Sequence, residues 1–363
     1  MLVIVISSLP VLRRRAYNTF YYLHIIFTSL VFIGAGIHSA TNFYFLLPGL
    51  FLWALDWAWR LFCGDTGLMQ KVDGLLEDAG NGWFRITLPS TVKKLPSALS
   101  GSTDGESSGE GQMVAHPLQT YYLNIPSVSK LQNHAFAAAA VGSANSGPVF
   151  LFQRTSVEGK SKRKQKKTMK KEWTWKVGKA ASNGEGDELS KIRGLRVRAE
   201  GPYFPPDRKF EEVDRIVCIV GGTGITGALS LAEWFLTHRM QDAKVSLAIV
   251  WTVRNASSAL LAEWQTLLAR SADAHGKLRL RSHISSEYGR LNFDDTIKSE
   301  LAGNTVDESS SAWIYISGPA GLLVAAEDVC CDIEAELRRA KKANMPASYV
   351  VDTMSHFVAQ WEV

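Results

Sequence analysis

Apolar positions are concentrated at the start of the chain. From Tyr17 to Ala40 the sequence reads YNTFYYLHIIFTSLVFIGAGIHSA, without Asp, Glu, Lys or Arg. A helix of that length, rising about 1.5 Å per residue, covers a hydrocarbon layer of about 30 Å. A second apolar stretch, Phe43 to Phe62, is rich in tryptophan and holds Pro48, Asp56 and Arg60. It is long enough to return across the same layer. Met1 to Leu12 is apolar but too short to span. With no basic residue ahead of it and no small-residue cleavage site, it reads poorly as a signal peptide and better as the tail of a helix that begins upstream. Arg13, Arg14 and Arg15 stand just before the first span. Basic loops stay in the cytoplasm, so the first helix is predicted to run outward, the second to return, and everything after Phe62 to be cytoplasmic. On that reading the sequon Asn255-Ala256-Ser257 lies on the wrong side for glycosylation.

After Phe62 the pattern shortens to β-like runs. Trp83–Leu88, Gln119–Ile125, Val149–Gln153 and Leu195–Ala199 read as strands of an antiparallel barrel. Two zones interrupt them: the Gly/Ser-rich segment Ser97–Gln112, which reads as a flexible insertion, and Ser156–Ser190. From Arg215 the pattern changes again. Arg215–Val220, Lys244–Val253, Leu278–His283 and Trp313–Ser317 read as apolar strands, separated by helical stretches near Ala228–His238, Ser258–Ala272 and Leu322–Lys342. That alternation predicts an open, doubly wound α/β sheet. The expected division is therefore residues 1–62 (membrane helices), 63–208 (barrel) and 209–363 (α/β lobe).

Composition narrows the class. A length of 363 residues suits two to three domains, and 46% hydrophobic with 21% charged residues excludes a disordered chain. The cysteines, Cys63, Cys218, Cys330 and Cys331, have neither a disulfide-scaffold pattern nor CxxC spacing. The net charge of +5 is matched by one run, Lys160–Lys171 (KSKRKQKKTMKK). Two readings of that run stand, a solvated loop or contact with an anionic membrane face. No nucleic-acid-binding motif accompanies it, so nucleic acid is not expected as a partner.

Two places carry candidate chemistry. His24 and His38 are fourteen residues apart in the first span. At about 100° per residue they project from nearly the same face, about 21 Å apart along the axis. Neutral imidazole is a haem iron ligand; the alternative is a pair of interfacial histidines near the two headgroup layers. The second place is Gly221-Gly222-Thr223-Gly224-Ile225-Thr226-Gly227, between a strand and a helix. Gly222, Gly224 and Gly227 satisfy G-x-G-x-x-G there, and a pyrophosphate would sit on the helix N-terminus. The alternative is a structural turn. The following strand ends at Arg254, with no Asp or Glu for an NAD ribose. An arginine there suits the 2′-phosphate of NADPH, unless it is merely a surface residue.

In order along the chain, these motifs resemble the C-terminal part of the ferric reductase and NADPH oxidase family of membrane flavocytochromes. Arg13–Tyr17, Phe20–His24 and Ile37-His38 resemble the family's haem-bearing helix, which implies His24 and His38 as axial ligands of haem b. Gln119–Ser129 with His134-Ala135-Phe136-Ala137 resembles the flavin strand and its H-P-F-[ST] motif, and Glu172-Trp173-Thr174 the W-T pair at the flavin pyrophosphate. Gly201-Pro202-Tyr203 corresponds to the G-P-Y turn, Gly221–Thr226 to the G-G-x-G-I-T nucleotide loop, and Ser317-Gly318-Pro319 to C-G-P beside the nicotinamide. His356–Trp361, with Phe357, resembles the aromatic end that covers the flavin ring.

The resemblance implies a ferredoxin-reductase-like α+β multidomain membrane protein. His134, Phe136, Ala137, Trp173 and Thr174 would serve FAD. Gly201, Pro202, Tyr203, Gly221–Thr226, Arg254, Gly318 and Pro319 would serve NADPH, and Ser317 and Phe357 would stand at hydride transfer. Electrons would pass from NADPH through FAD and haem to a ferric chelate or dioxygen across the lipid bilayer, the plasma membrane being the expected one, in iron uptake. Three departures qualify this. HAFA lacks the proline and the hydroxyl, Ser317 replaces cysteine, and the remaining six histidines all fall after residue 62. The two haem ligand sets would need helices beyond these, from a longer chain or another one; otherwise the chain is a haem-free NADPH:flavin reductase or a non-catalytic assembly partner.

Overall fold

The computed structural model describes residues 17–62, 69–90, 92, 117–129, 132–140, 147–154, 173–182, 192–205, 208–302, 310–343 and 351–359. The arginine cluster before Tyr17, Cys63, the Ser97–Gln112 insertion, the basic run, Glu172, Gln360 and Trp361 lie outside the described residues. The chain divides into two compact units, Met1–Leu68 and Met69–Val363.

The first unit is a pair of helices, α1 (Tyr17–His38, 22 residues) and α2 (Ala40–Phe62, 23 residues). Their apolar side chains are largely exposed, Ile37 and Phe45 at 82% each. Both helices stand where the apolar pattern put them. The structure gives no support for their crossing a membrane: among the described residues no helix is long and apolar enough to do so. Polar residues dilute both runs: Asn18, His24 and His38 in α1, and Asp56 and Arg60, with Pro48, in α2.

The second unit begins with six antiparallel strands. They are β1 (Met69–Gly80), β2 (Trp83–Thr87), β3 (Thr120–Asn124), β4 (His134–Ala137), β5 (Val149–Gln153) and β6 (Ile192–Tyr203), in the order β4-β3-β6-β1-β2-β5. The edge strands β4 and β5 converge, because Ala139 N–H donates to Val149 O at 2.8 Å and Val149 N–H to Ala140 O at 3.0 Å. That bridge closes the sheet into the expected barrel and removes its edges. Inside lie Leu76, Ile86, Leu123, Phe150, Phe152 and Val197. A short helix, α3 (Trp173–Ser182), packs on this barrel with Trp173 and Val177 buried.

The remaining five strands are all parallel: β7 (Arg215–Gly221), β8 (Ser246–Val253), β9 (Leu278–Ile284), β10 (Ser310–Ser317) and β11 (Val351–Ala359). Their order is β11-β10-β7-β8-β9. The chain steps from β7 outward to β9, then returns to the other side of β7 for β10. The reversal leaves a crevice between the carboxyl ends of β7 and β10, which is where ligands bind in such sheets. Helices α4 (Ile225–His238), α5 (Ala262–Ser271), α6 (Ser285–Tyr288), α7 (Phe293–Ala302) and α8 (Ala320–Ala343) complete the lobe. The near-continuous apolar strands follow from burial on both faces.

Barrel and lobe pack together within one compact unit, Met69–Val363. Trp83, Leu118 and Leu151 of the barrel join Ile225, Trp251 and Trp264 of the lobe in one buried cluster. Trp83 and Trp251 lie 6.2 Å apart and Trp251 and Trp264 5.2 Å. Each buried tryptophan removes about 150–250 Å² from water, worth roughly 4–6 kcal/mol as an upper bound. Polar links reinforce the join. Trp83 Nε1 donates to Ser258 O at 2.9 Å, and Arg85 of β2 bridges Glu77 and Glu263 at 2.7 and 2.5 Å.

Candidate functional site

Strand β7 ends at Gly221, and Gly222–Gly224 form a single 3-10 turn before α4 starts at Ile225. Gly222 holds φ +53°, a conformation that favours glycine. Among the described residues no side chain caps the start of α4, and its first amide, that of Ile225, donates to Gly222 O and Thr223 O of the preceding turn. On the other side of the crevice, Ser317 ends β10 in register with Val220, and Gly318-Pro319 lead into α8. Gly318 has φ +150°, and a β-carbon on it would stand 3.0 Å from Gly221 N. The two loops therefore touch through their main chains.

Gly221, Gly222, Thr252, Arg254 and Pro319 line one cleft of about 310 Å³ at this point. Thus the structure brings the expected nucleotide loop, the expected 2′-phosphate residue and the C-G-P counterpart to a single place. Thr223 is exposed at the turn, while Gly224, Ile225 and Thr226 are buried behind it, with Thr226 Oγ1 donating to Thr223 O at 3.1 Å. Among the described residues no carboxylate pairs with Arg254.

Ser317 is 1% exposed, and Tyr315, two residues before it on the same strand, is equally buried. Burial pushes the Tyr315 hydroxyl well above the ordinary tyrosine range. Phe357 pairs with Tyr315 across β10 and β11 and stacks on it at 6.2 Å and on Trp313 at 6.3 Å. It is a rung behind Ser317, which pairs with Ala359.

The expected flavin residues gather on the barrel. His134 and Phe136 project from the same side of β4, and their rings lie 4.6 and 5.6 Å from Trp173. At those distances the rings touch, so a flavin would lie beside this trio and not between its members. Trp173 is 4% exposed, and among the described residues its Nε1 and the His134 Nε2 are both buried without a hydrogen-bond partner. Two orphaned donors or acceptors suit a polar ligand edge. Burial lowers the His134 pKa to about 4, so the ring is neutral at pH 7 and offers a hydrogen bond rather than a charge. Ala137 is buried and has no hydroxyl; Thr174 is half-buried in the first turn of α3.

Gly201-Pro202-Tyr203 end β6, where Tyr203 pairs with Thr120, itself paired with Ala137. This turn thus adjoins the flavin strand, and it is not among the residues that line the cleft. Ala139 and Ala140, which follow the HAFA motif, face a separate cleft of about 260 Å³ together with Arg85, Glu233 and Glu263.

His24 and His38 both lie on α1, His24 beside Phe20 at 5.3 Å and His38 at the helix end. Two imidazoles on one helix supply one ligand to each of two irons, so the residues present do not complete a bis-histidine site. Among the described residues no three His, Cys, Asp or Glu gather as a metal site.

Three side chains of the site carry no motif. Trp251 Nε1 donates to Gly222 O at 2.9 Å and so fixes the nucleotide loop from the next strand. Arg154, just past β5, lines the same cleft from the barrel side, and its guanidinium lies 4.3 Å above the ring of Trp175.

No protein-family model matches. In sequence the chain is 26% identical over 251 residues to ferric reduction oxidase 8, mitochondrial, of Arabidopsis thaliana, covering 69% of this chain and 29% of that protein. It is 27% identical over 241 residues to ferric reduction oxidase 2 of the same plant, covering 66% and 27%. It is also 26% identical over 282 residues to ferric reductase transmembrane component 1 of Schizosaccharomyces pombe, covering 72% and 46%. Its sequence relatives are thus ferric reduction oxidases and a ferric reductase component, at 26–27% identity. The chain spans less than a third of the length of the Arabidopsis relatives, 29% of ferric reduction oxidase 8. Solved structures resembling it include the CS-b5R domains of human Ncb5or (TM-score 0.47, 13% identity, 80% of this chain and 71% of that one). Another is the Amycolatopsis cytochrome P450 reductase GcoB (TM-score 0.44, 15% identity, 80% and 71%).

Proposed function

We infer that residues 69–363 are the electron-input part of a membrane ferric reductase, with NADPH in the cleft between β7 and β10 and FAD beside the His134–Phe136–Trp173 cluster. One observation carries this reading: Gly221, Gly222, Arg254 and Pro319 line one cleft at the reversal point of the parallel sheet. The glycine turn ahead of α4 would hold the pyrophosphate at the positive end of the helix, and Arg254 the 2′-phosphate. The nicotinamide would reach from this cleft towards Ser317 and Gly318, which precede the lining residue Pro319. His134 Nε2 and Trp173 Nε1 would bond the flavin's polar edge. When bound, flavin supplies the conversion of a two-electron donor to single-electron transfer. The acceptor side is a ferric chelate or dioxygen.

The many exposed apolar side chains on α1 and α2 support membrane association, with the plasma membrane as the proposed site. The name of the fission yeast relative, a transmembrane component, points the same way. His24 and His38 would each give one haem ligand, with the rest supplied by other helices. The incomplete ligand set favours a second reading, in which the flavin passes electrons to a soluble acceptor without haem.

The test is calorimetric titration of the full chain with NADPH and with NADH, followed by NADPH-dependent dye and ferric-citrate reduction after FAD loading. Saturable binding that favours NADPH, and loss of that preference in Arg254→Gln, are expected. Absence of saturable binding to either dinucleotide overturns the proposal.

A further inference from the structure

The outer surface of the barrel carries charges that its own residues do not balance. In the β1–β6 pair, Lys71 stands directly opposite Arg198, and Asp73 opposite Arg196. Residues two apart on a strand share a face. Lys71, Asp73 and Arg196 are exposed there, and Arg198 is half-buried. Like charges directly opposite each other on a sheet are destabilising. Among the described residues no carboxylate pairs with Lys71 or Arg198, and Asp73 approaches Arg196 only to 3.8 Å, with both side chains well exposed. Three cations against one carboxylate leave this face with a surplus of positive charge.

Apolar and aromatic groups border the cations. Leu75, the next outward residue of β1, is 51% exposed. Tyr122 of β3 is 43% exposed and pairs with Glu200, the next residue of β6 on the face of Arg198. Glu200 itself is buried and accepts a bond from Tyr203 Oη at 2.6 Å, so its charge is withdrawn from the surface. The Tyr203 ring, itself partly exposed, meets Tyr122 edge-on at 5.6 Å. A free anion would answer the charges alone and leave Leu75 and Tyr122 in water. A lipid surface answers both: phosphates attract Lys and Arg, and tyrosine rings settle at the headgroup boundary.

We propose that this face, with Lys71, Arg196 and Arg198 at its centre and Leu75 and Tyr122 at its edges, docks on the anionic headgroups of a lipid bilayer. Strand β4, which carries His134 and Phe136, lies beyond β3 in the same sheet. Docking would therefore set the orientation of the proposed flavin cluster towards the bilayer. This inference rests on the membrane association proposed above.

The test uses the full chain with vesicles of phosphatidylcholine alone and of phosphatidylcholine with phosphatidylserine. Flotation reports attachment; mass spectrometry reports acylation of Lys71 and hydroxyl-radical oxidation of Tyr122. Both labels are expected to slow about fivefold on the phosphatidylserine vesicles relative to phosphatidylcholine, the scale of one basic residue at an anionic surface, and to recover at high salt. The double variant Arg196→Gln/Arg198→Gln is expected to lose the slowing at Tyr122 while floating with both vesicles. Arg281→Gln, which removes an exposed charge from β9, is expected to keep it. Slowing that is equal on both vesicles, or that survives the double variant, overturns the inference and leaves membrane association standing. Protection of Lys71 by inorganic phosphate without vesicles also overturns it, in favour of a small-anion site. If the chain floats with neither vesicle, docking and membrane association fall together.

Discussion

The indole of Trp251 donates to the carbonyl of Gly222 at 2.9 Å, so a side chain of β8 holds the turn that follows β7. Trp251 is fully buried between Trp83 and Trp264. The nucleotide turn is thereby fixed to the core that barrel and lobe share. Trp251→Phe keeps most of the packing and removes the bond. Dinucleotide affinity should fall about two- to tenfold, equivalent to about 0.5–1.5 kcal/mol, measured as a dissociation constant by titration. An unchanged constant would mean that the turn holds its shape without the indole.

Gly227 and Gly224 face different obstacles. A β-carbon on Gly227 would fall on the Tyr315 hydroxyl, whereas on Gly224 it would fall on the main-chain carbonyl of Ser317. Gly227→Ala should cost about 1–3 kcal/mol, with part recovered in the double variant with Tyr315→Phe. Gly224→Ala should cost at least as much and gain nothing from Tyr315→Phe. Denaturant midpoints of the wild type, Tyr315→Phe, the two glycine variants and the two double variants decide it.

His134 makes stability depend on pH in a defined direction. Burial lowers its pKa to about 4 in the folded chain, against about 6.5 when unfolded. The unfolded chain therefore binds the proton first. Stability is fully present above about pH 6.5, declines as pH falls towards 4, and changes no further below that on account of this group. The decline is on the order of 2–3 kcal/mol. His134→Gln should flatten this part of the profile; a wild-type midpoint equally pH-dependent in the variant would remove His134 as its source.

Arg85 tests the join between barrel and lobe. Burial opposes its charge, but bonds to Glu263 and Glu77 more than offset this and raise its pKa. Arg85→Met should destabilise the chain by about 1–3 kcal/mol, between the values for exposed and for buried pairs, because both carboxylates lose their partner. Glu77→Gln, which removes one acceptor only, should cost less. Urea unfolding at low and high salt measures both; a loss abolished by salt would show an exposed, screened pair instead.

The sequence made the lobe legible because its strands are short apolar runs and its motif sits between a strand and a helix. Arg254 was visible for the same reason. Strand β1 was not, because Leu75 faces outward while Gly74 faces the core, which breaks the alternation. Strand β4 is four residues long, and β11 mixes Asp352, Ser355 and His356 with its apolar positions. Trp251 gave no signal within an apolar strand, since only the fold reveals that its nitrogen meets Gly222. Arg154 had a faint one: like Arg254, it is the first residue after an apolar strand.

The tryptophan seam that runs from Trp83 through Trp251 to Trp264 also bears on movement. A hinge between barrel and lobe would have to tear dry indole surface apart at every turnover. Cofactor exchange in this protein therefore belongs to rearrangements at the rim, around side chains such as Arg154 and Arg254, while the two halves melt as a single cooperative body when heat finally separates them.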